Sequence, residues 1–194
     1  MDTLLKDTIN TVLNRVYPDI SREGRLFIEE LAQKVEVPKG EQIVVEGQVC
    51  KNIILVGQGM IRQYYYKHGK DLTEHFTYEG GIAICLESTL KQIPTRLLME
   101  ALEDCVLFYL PYQQLINMSD TSKEINALVR KVLEDSLISS QKKADAWRFE
   151  TAHERYSRLM QDHPEIIRRA PLVHIASYLL MTPETLSRVR AGIL

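Results

Sequence analysis

The chain has 194 residues, of which 45% are hydrophobic and 26% are charged. These values are ordinary for a globular protein, so they exclude wholesale disorder and collagen-like repeats, and no run approaches the ~20 apolar residues that would span a membrane. Residues 1–140 carry 15 Lys and Arg against 20 Asp and Glu, whereas residues 141–194 carry 9 against 6. A basic C-terminal part behind an acidic body is a weak indication of an anionic partner for that part.

The cysteines and the N-terminal residues both indicate the cytoplasm. Cys50, Cys85 and Cys105 are sparse, odd in number and far apart in sequence, which fits a reducing compartment better than a disulfide framework. The first ten residues contain three charged side chains and lack the apolar segment of a secretory signal. We therefore expect a cytoplasmic protein that does not associate with a membrane.

The N-terminal third predicts two helices followed by short strands. Apolar residues between Leu4 and Val16 follow a helical period that Pro18 ends, and Ser21 is a candidate N-cap for a second helix. Turn signals then recur every ~8–12 residues, which indicates an antiparallel barrel or sandwich. The predicted strands are Val35–Val37, Gln42–Val45, Ile53–Val56, Met60–Tyr66, Leu72–Phe76, Arg96–Ala101 and Val106–Leu110.

After Pro111 the pattern becomes helical again, with a short helix near residues 112–116 and a long one from Ser122 to about Phe149. The long helix has no Gly or Pro and carries an apolar stripe near the 3.5 to 3.6 period. Such a stripe predicts dimerisation, although it can also pack on its own domain. The expected interface residues are Ile125, Leu128, Val129 and Val132.

Residues 172–189, LVHIASYLLMTPETLSRV, predict two short helices around a tight turn, with Thr182 as the N-cap of the second. Glu184, Ser187 and Arg188 then share the outward face of that helix. Arginine can bind guanine O6 and N7 together, and glutamate can accept from cytosine N4, so this face suits reading of a DNA major groove. The alternative is a surface helix with an incidental Glu–Arg ion pair.

Five sequence segments, taken together and in this order, are more specific for a protein family than any one of them alone. They are PKGEQIVVEG, NIILVGQGMIRQYYY, HGKDLTEHF, EALEDCVLFYL and IASYL…TPETLSR. The first four resemble the cyclic-nucleotide-binding-like β-roll, and the last resembles the helix-turn-helix, of the Crp/Fnr superfamily of bacterial transcription regulators. The resemblance covers about residues 20–192. It implies an α+β fold with an antiparallel β-roll of the jelly-roll type flanked by helices (1–118), a long dimerisation helix (119–149) and a winged-helix-like helix-turn-helix with a short or absent wing (150–194).

The resemblance implies a homodimer that binds double-stranded DNA at a palindromic site, with RNA polymerase as a further expected partner. Glu184, Ser187 and Arg188 match the base-reading residues of the oxygen-responsive branch, whose half-sites resemble TTGA, and Thr182 matches a phosphate-contacting position. Leu180 stands where the family usually has glycine. We therefore expect either a left-handed leucine, at a cost of about 1–2 kcal/mol, or a turn of another shape.

The resemblance also places an effector pocket in the β-roll. Nucleotide-binding members use a Gly-Glu pair at the ribose and phosphate, but Ile84 and Cys85 stand at those positions here. An apolar pair cannot cradle a phosphate, so we expect neither cyclic AMP nor cyclic GMP to bind tightly, and the effector stays unknown. The candidate pocket residues, which could also be ordinary surface and strand residues, are Arg62, Tyr64, Ile84, Cys85 and Arg96.

The residue types present bear on three other kinds of site: iron–sulfur clusters, haem sites and enzyme or metal centres. An iron–sulfur cluster needs about four clustered cysteines, so we expect none, whereas haem binding through His68 or His75 stays open. No nucleophile, base or metal-ligand set is assembled in the sequence, and we expect neither an enzyme nor a metal site. The alternative function is a small-molecule sensor whose helix-turn-helix mediates protein interaction instead of DNA binding.

Overall fold

The structure, a computed structural model, describes residues 2–67 and 69–192. Its elements follow the predicted order of helices, short strands, a long helix and a final group of short helices. The helices are α1 (Thr3–Val16), α2 (Arg22–Leu31), α3 (Leu86–Lys91), α4 (Tyr112–Ser119), α5 (Lys123–Phe149), α6 (Ala152–Asp162), α7 (Pro164–Arg169), α8 (Leu172–Tyr178) and α9 (Pro183–Arg190). The strands are β1 (Gln33–Val37), β2 (Gln42–Val44), β3 (Asn52–Gln58), β4 (Met60–Lys67), β5 (Lys70–Tyr78), β6 (Ile82–Ala83), β7 (Leu97–Ala101) and β8 (Cys105–Pro111).

Two four-stranded antiparallel sheets form the predicted β-roll. One sheet has the strand order β1-β8-β3-β6 and the other has the order β2-β7-β4-β5. Between them lies an apolar cluster to which both sheets contribute, including Val56, Ile61, Met99 and Leu107. Because side chains alternate along a strand, the neighbours of these residues point to the outer faces of the sheets.

A second apolar cluster lies between the helices and the first sheet. It joins Ile9 of α1 and Ile28 of α2 to Phe108 of β8. The N-terminal part of α5 completes this cluster through Ile125 and Leu128. Ser21 caps α2 as predicted, accepting from the Gly24 N–H at 3.0 Å.

The expected dimer stripe is therefore covered by the chain itself. Ile125, Leu128 and Val129 are buried, and Val132 packs against the same cluster. The predicted interface through these residues stays a prediction, but Ile125, Leu128 and Val129 have little surface left for a partner subunit, whereas Val132 is half-buried. The sequence could not reveal this, because helical periodicity identifies an apolar face but not the element that covers it.

The remaining helices, α6 to α9, form what we call the C-terminal unit. Leu159, Ile175 and Leu186 make its centre, and this cluster continues onto the β-roll through Met60 and Phe76. Thr151 begins the unit with a capping box, in which its hydroxyl and the Glu154 side chain each satisfy the other's backbone N–H. Among the residues that the structure describes, no helix is both long enough and apolar enough to cross a membrane.

Candidate nucleic-acid interface and its contact with the β-roll

Helices α8 and α9 form the predicted helix-turn-helix. Ala176 of α8 and Leu186 of α9 are fully buried where the helices cross, and Ile175 and Val189 are buried beside them. The small side chain of Ala176 allows the two helices to approach closely. Buried apolar residues on the inner side fix which side of α9 faces outward.

The turn between the two helices is closed by a left-handed leucine. Leu180 has φ +51°, its N–H donates to the Ser177 carbonyl at 3.1 Å, and the Met181 N–H donates to the Ala176 carbonyl at 3.0 Å. This pair of hydrogen bonds is the Schellman motif, which normally places glycine at the left-handed position. Of the two predicted alternatives, the structure therefore has the left-handed leucine.

The outward face of α9 carries the predicted base-reading residues. Glu184, Ser187 and Arg188 are all exposed. Thr182 is the N-cap, as predicted, and its hydroxyl accepts from the Thr185 N–H at 3.2 Å. The pKa of Glu184 is lowered by its own backbone N–H and by the Thr182 hydroxyl, with a smaller contribution from Arg188, so this face presents a carboxylate, a hydroxyl and a guanidinium to solvent.

The opposite side of α8 contacts the β-roll through a buried arginine. Arg62 on β4 has a side chain only 2% exposed, and its guanidinium donates to Glu100 at 2.7 Å, Thr73 at 3.2 Å and Asp71 at 3.0 Å. It also contacts Nδ1 of His174, from α8, at 2.7 Å. We call these five residues the Arg62 network.

His174 accepts in this contact, because an arginine has no acceptor atom. Its Nδ1 must therefore carry no proton while the contact exists. Burial and then the charge of Arg62 lower the pKa of His174. The neutral imidazole is thus the form that the Arg62 network favours.

Two further contacts join the C-terminal unit to the β-roll. The Ser177 hydroxyl accepts from the Thr73 N–H at 2.9 Å and donates to the Asp71 carbonyl at 3.1 Å, so it satisfies backbone groups of β5, which is an edge strand. Arg169 makes bidentate pairs with Glu79 and with Glu103, at 2.6 to 2.9 Å. Paired charges of this geometry are among the stronger polar contacts in proteins.

The five predicted effector residues do not line one pocket. Arg62 and Tyr64 lie on the outer face of the second sheet, with the guanidinium carbon 4.1 Å from the ring centroid. Cys85 points into the interior of the β-roll, Ile84 packs against the helical cluster, and Arg96 is exposed. The reason is the alternation along β4, because Ile61 faces the interior and its neighbour Arg62 must then face outward.

Sequence reasoning missed the α8 side chains that contact the β-roll, which are His174 at Arg62 and Ser177 at β5. His174 and Ser177 lie three residues apart in α8, a spacing that puts two polar side chains on one helix face. That spacing was a usable signal, although a solvated face would give the same pattern. Nothing local in the sequence indicates that β5 covers this face.

The histidines and cysteines give no metal site in the described residues, where no group of three or more His, Cys, Asp or Glu side chains could hold an ion. His75 borders a cleft of about 420 Å³ between α5 and the C-terminal unit, together with Lys143, Trp147 and Tyr178. His68 lies outside the described residues. The haem alternative therefore stays a prediction.

Comparison with known proteins gives one domain match and many similar folds. Residues 34–122 match the family model described as the cyclic nucleotide-binding domain. FixK2 from Bradyrhizobium japonicum is 22% identical and has a TM-score of 0.67, with 84% of each chain covered. A CooA mutant from Carboxydothermus hydrogenoformans is 18% identical, with a TM-score of 0.68 over 93% of this chain and 83% of that one.

A structure from Eubacterium rectale, described as a transcriptional regulator of the Crp/Fnr family, is 16% identical. Its TM-score is 0.68 over 91% of this chain and 85% of that one. A search of the curated proteins finds no match. At these identities, the solved structures establish the fold of the chain.

Proposed function

We propose that this chain is a dimeric, DNA-binding transcription regulator. Its residues 34–122 match the cyclic nucleotide-binding domain family, and the chain has the fold of the Crp/Fnr superfamily, as its motifs predicted. The exposed acid, hydroxyl and guanidinium on α9 carry the proposal. They share the exposed face of a capped helix, within the part of the chain that has net positive charge.

The proposed mode of binding puts α9 in a major groove. Arg188 binds guanine O6 and N7, Glu184 accepts from cytosine N4, and Ser187 contacts a neighbouring base edge. The start of α9, with the Thr182 hydroxyl and the backbone N–H groups, faces a phosphate. The proposed site is a TTGA-like inverted repeat with half-sites about one helical turn apart.

The dimer interface that we propose lies further along α5 than the sequence suggested. Leu137 is 71% exposed, and Leu133 precedes it by four residues while Ala144 follows it by seven. These spacings put the three side chains on one side of the helix, as in the seam of a coiled coil. The stripe lies beside the covered face of Ile125. Leu133 packs partly against the same apolar cluster, whereas Leu137 is exposed to a second copy.

Light scattering with a matched pair of variants tests this interface. The wild-type chain should have a measured mass of about twice 22.4 kDa. Leu137→Glu should lower the measured mass toward that of the monomer, because dimerisation would bury the glutamate charge in the interface. Ile138→Glu is the control, because Ile138 is also exposed but lies about 100° around the helix from Leu137. Equal masses for the two variants would contradict the stripe.

DNA recognition is tested by fluorescence anisotropy on the inverted repeat and on a scrambled duplex at one stated salt concentration. Arg188→Ala should lose about 1–3 kcal/mol per half-site on the repeat and relax the preference at the guanine pair. Arg190→Ala removes the same charge from the same helix and should lower the affinity for both duplexes by the same factor. If both variants lose affinity equally on both duplexes, Arg188 contacts only the backbone.

The effector of the β-roll is not identified by this proposal. Calorimetric titration with cyclic AMP and cyclic GMP should give nothing tighter than about millimolar, roughly −4 kcal/mol, because Ile84 and Cys85 replace the pair that would cradle the phosphate. A micromolar isotherm would contradict that interpretation. The contact of α8 with the β-roll through His174 favours one second candidate function, a sensor whose helix-turn-helix binds protein. If the protein binds no DNA duplex even after the Arg62 network is released, that result would support the second candidate.

A further inference from the structure

The cleft between α5 and the C-terminal unit is large enough to hold a small organic molecule. Its volume is about 420 Å³, within the roughly 300–1,000 Å³ of typical ligand sites. Helices α5, α6 and α8 and strand β5 all contribute to its lining, which includes Trp147, Leu159 and Tyr178. The cleft is separate from the interior of the β-roll and from the exposed face of α9, so neither of those surfaces accounts for it.

Arg155 gives the cleft a cation that makes no ion pair within the part of the chain that the structure describes. Its guanidinium donates to the carbonyls of Leu179 at 2.9 Å and Glu150 at 2.6 Å, which are the C-cap residues of α8 and α5. An arginine has five N–H donors, so these two bonds leave three for another acceptor. Because the two carbonyls fix the guanidinium where it borders the cleft, an arriving anion finds it already positioned.

Two other cations of the cleft are already neutralised by carboxylates. Arg158 pairs with Glu150 at 3.0 Å, and the buried ammonium of Lys143 pairs with Glu74 at 3.0 Å. Their charges are therefore largely spent within the protein. Arg155, which is only partly exposed, is the cation best placed to bind an anion from solution.

Lys143 also holds two aromatic rings at the wall of the cleft. Its Nζ lies 4.8 Å from the ring centroid of Trp147 and 5.0 Å from that of Tyr178, and both contacts are cation–π interactions. Phe76 packs edge-on against Tyr178, with the centroids 5.5 Å apart. The rings thus offer a fixed, flat apolar surface.

The acidic side chains of the cleft lie away from its arginine. Asp135 precedes Trp147 by 12 residues on α5, which is about 18 Å along the helix. Asp162 follows Arg155 by seven residues on α6, which is about 10 Å. Both carboxylates are exposed, as is Lys142. The cleft therefore has a cationic and aromatic end, at the junction of α5 and α6.

We propose that this end of the cleft binds a small aromatic anion, with its carboxylate or phosphate on Arg155 and its ring against Trp147 and Tyr178. Arginine binds either group through two parallel N–H donors, and the free donors of Arg155 suffice for this. A molecule bound there contacts α5 and the C-terminal unit together. The proposal does not depend on DNA binding, because binding to the cleft is measured directly.

Trp147 is the only tryptophan of the chain, so its indole N–H signal in a nitrogen–proton correlation spectrum reports on the cleft. The probes are naphthoate and naphthyl phosphate, which carry the two anionic groups on the same ring. Both should shift the signal saturably, and the tighter of the two identifies the class of the ligand. Naphthalene methanol lacks the anion and inorganic phosphate lacks the ring, so each should bind about tenfold more weakly or less tightly still.

A matched pair of arginine variants tests the position of the anion. Arg155→Gln should weaken binding of the tighter anion about tenfold. Arg148→Gln removes the same charge from α5 outside the cleft, where Arg148 pairs with Asp145, and should leave the affinity unchanged. Arg158→Gln should have a smaller effect than Arg155→Gln, because Glu150 already neutralises Arg158.

The comparison of probes on the wild-type chain decides the proposal alone if Arg155→Gln lacks the wild-type circular dichroism spectrum. The proposal is wrong if neither anion shifts the Trp147 signal saturably, or if naphthalene methanol binds as tightly as the anions. It is also wrong if a folded Arg155→Gln keeps the wild-type affinity, or if Arg148→Gln loses as much affinity as Arg155→Gln.

Discussion

The left-handed conformation of Leu180 in the helix-turn-helix should have a measurable effect on the free energy of unfolding. Leu180 is 47% exposed, so truncating it removes some packing, and the informative comparison is between alanine and glycine at this position. Alanine keeps the left-handed penalty of about 1–2 kcal/mol. Glycine avoids that penalty but loses about 0.5–1 kcal/mol through its greater freedom in the unfolded chain. We therefore expect Leu180→Gly to be more stable than Leu180→Ala by about 0.5–1 kcal/mol.

Ser139 provides the control, because it is an exposed residue within the regular helix α5. There Ser139→Gly should be less stable than Ser139→Ala by about 1 kcal/mol, so the sign is opposite at the two positions. Urea unfolding followed by the helical circular dichroism signal gives the free energy of unfolding for all four variants. If glycine is the less stable residue at both positions, Leu180 does not adopt the left-handed conformation and the turn has another shape.

Three more perturbations test the contacts described above. Arg62→Ala leaves Asp71 and Glu100 without their cation and should lower the free energy of unfolding by about 3 kcal/mol, and a loss below about 1 kcal/mol in urea would contradict the Arg62 network. The pKa of His174 is lowered in the folded chain, so the unfolded chain binds the extra proton and the free energy of unfolding should fall as pH drops below about 6.5. His163, whose pKa burial also lowers, acts in the same direction. The decline with falling pH should therefore be shallower in His174→Gln, but not abolished. Thr182→Ala should cost about 1 kcal/mol by removing the N-cap, whereas Thr182→Ser should keep both stability and DNA affinity; equal losses for the two would exclude a role of the hydroxyl.

The sequence predicted those parts of the fold that depend on local signals. Helical and strand periods depend on neighbouring residues, and Ser21 and Thr182 cap their helices through side chains that reach only three residues away. The order of the segments then limited the arrangement to a β-roll followed by a helix-turn-helix. The exposed face of α9 followed for the same reason, because Leu186 and Val189 had to be buried.

The contacts that the sequence did not predict are those between segments far apart in the chain. Ile125 has the same apolar neighbours in sequence whether a partner subunit or α1 covers it. Arg62 gave no indication that it faces His174 of the C-terminal unit rather than a ligand.

Strand β4 has a consequence for how the two halves of the molecule can influence each other. Ile61 lies in the interior of the β-roll, and the residues on either side of it, Met60 and Arg62, pack against the C-terminal unit. Any molecule that displaces Ile61 from within therefore moves, through one shared backbone, the residues that hold α8. The path from the interior of the β-roll to the helix-turn-helix is the thickness of a single strand, and it requires no chain of intermediate residues.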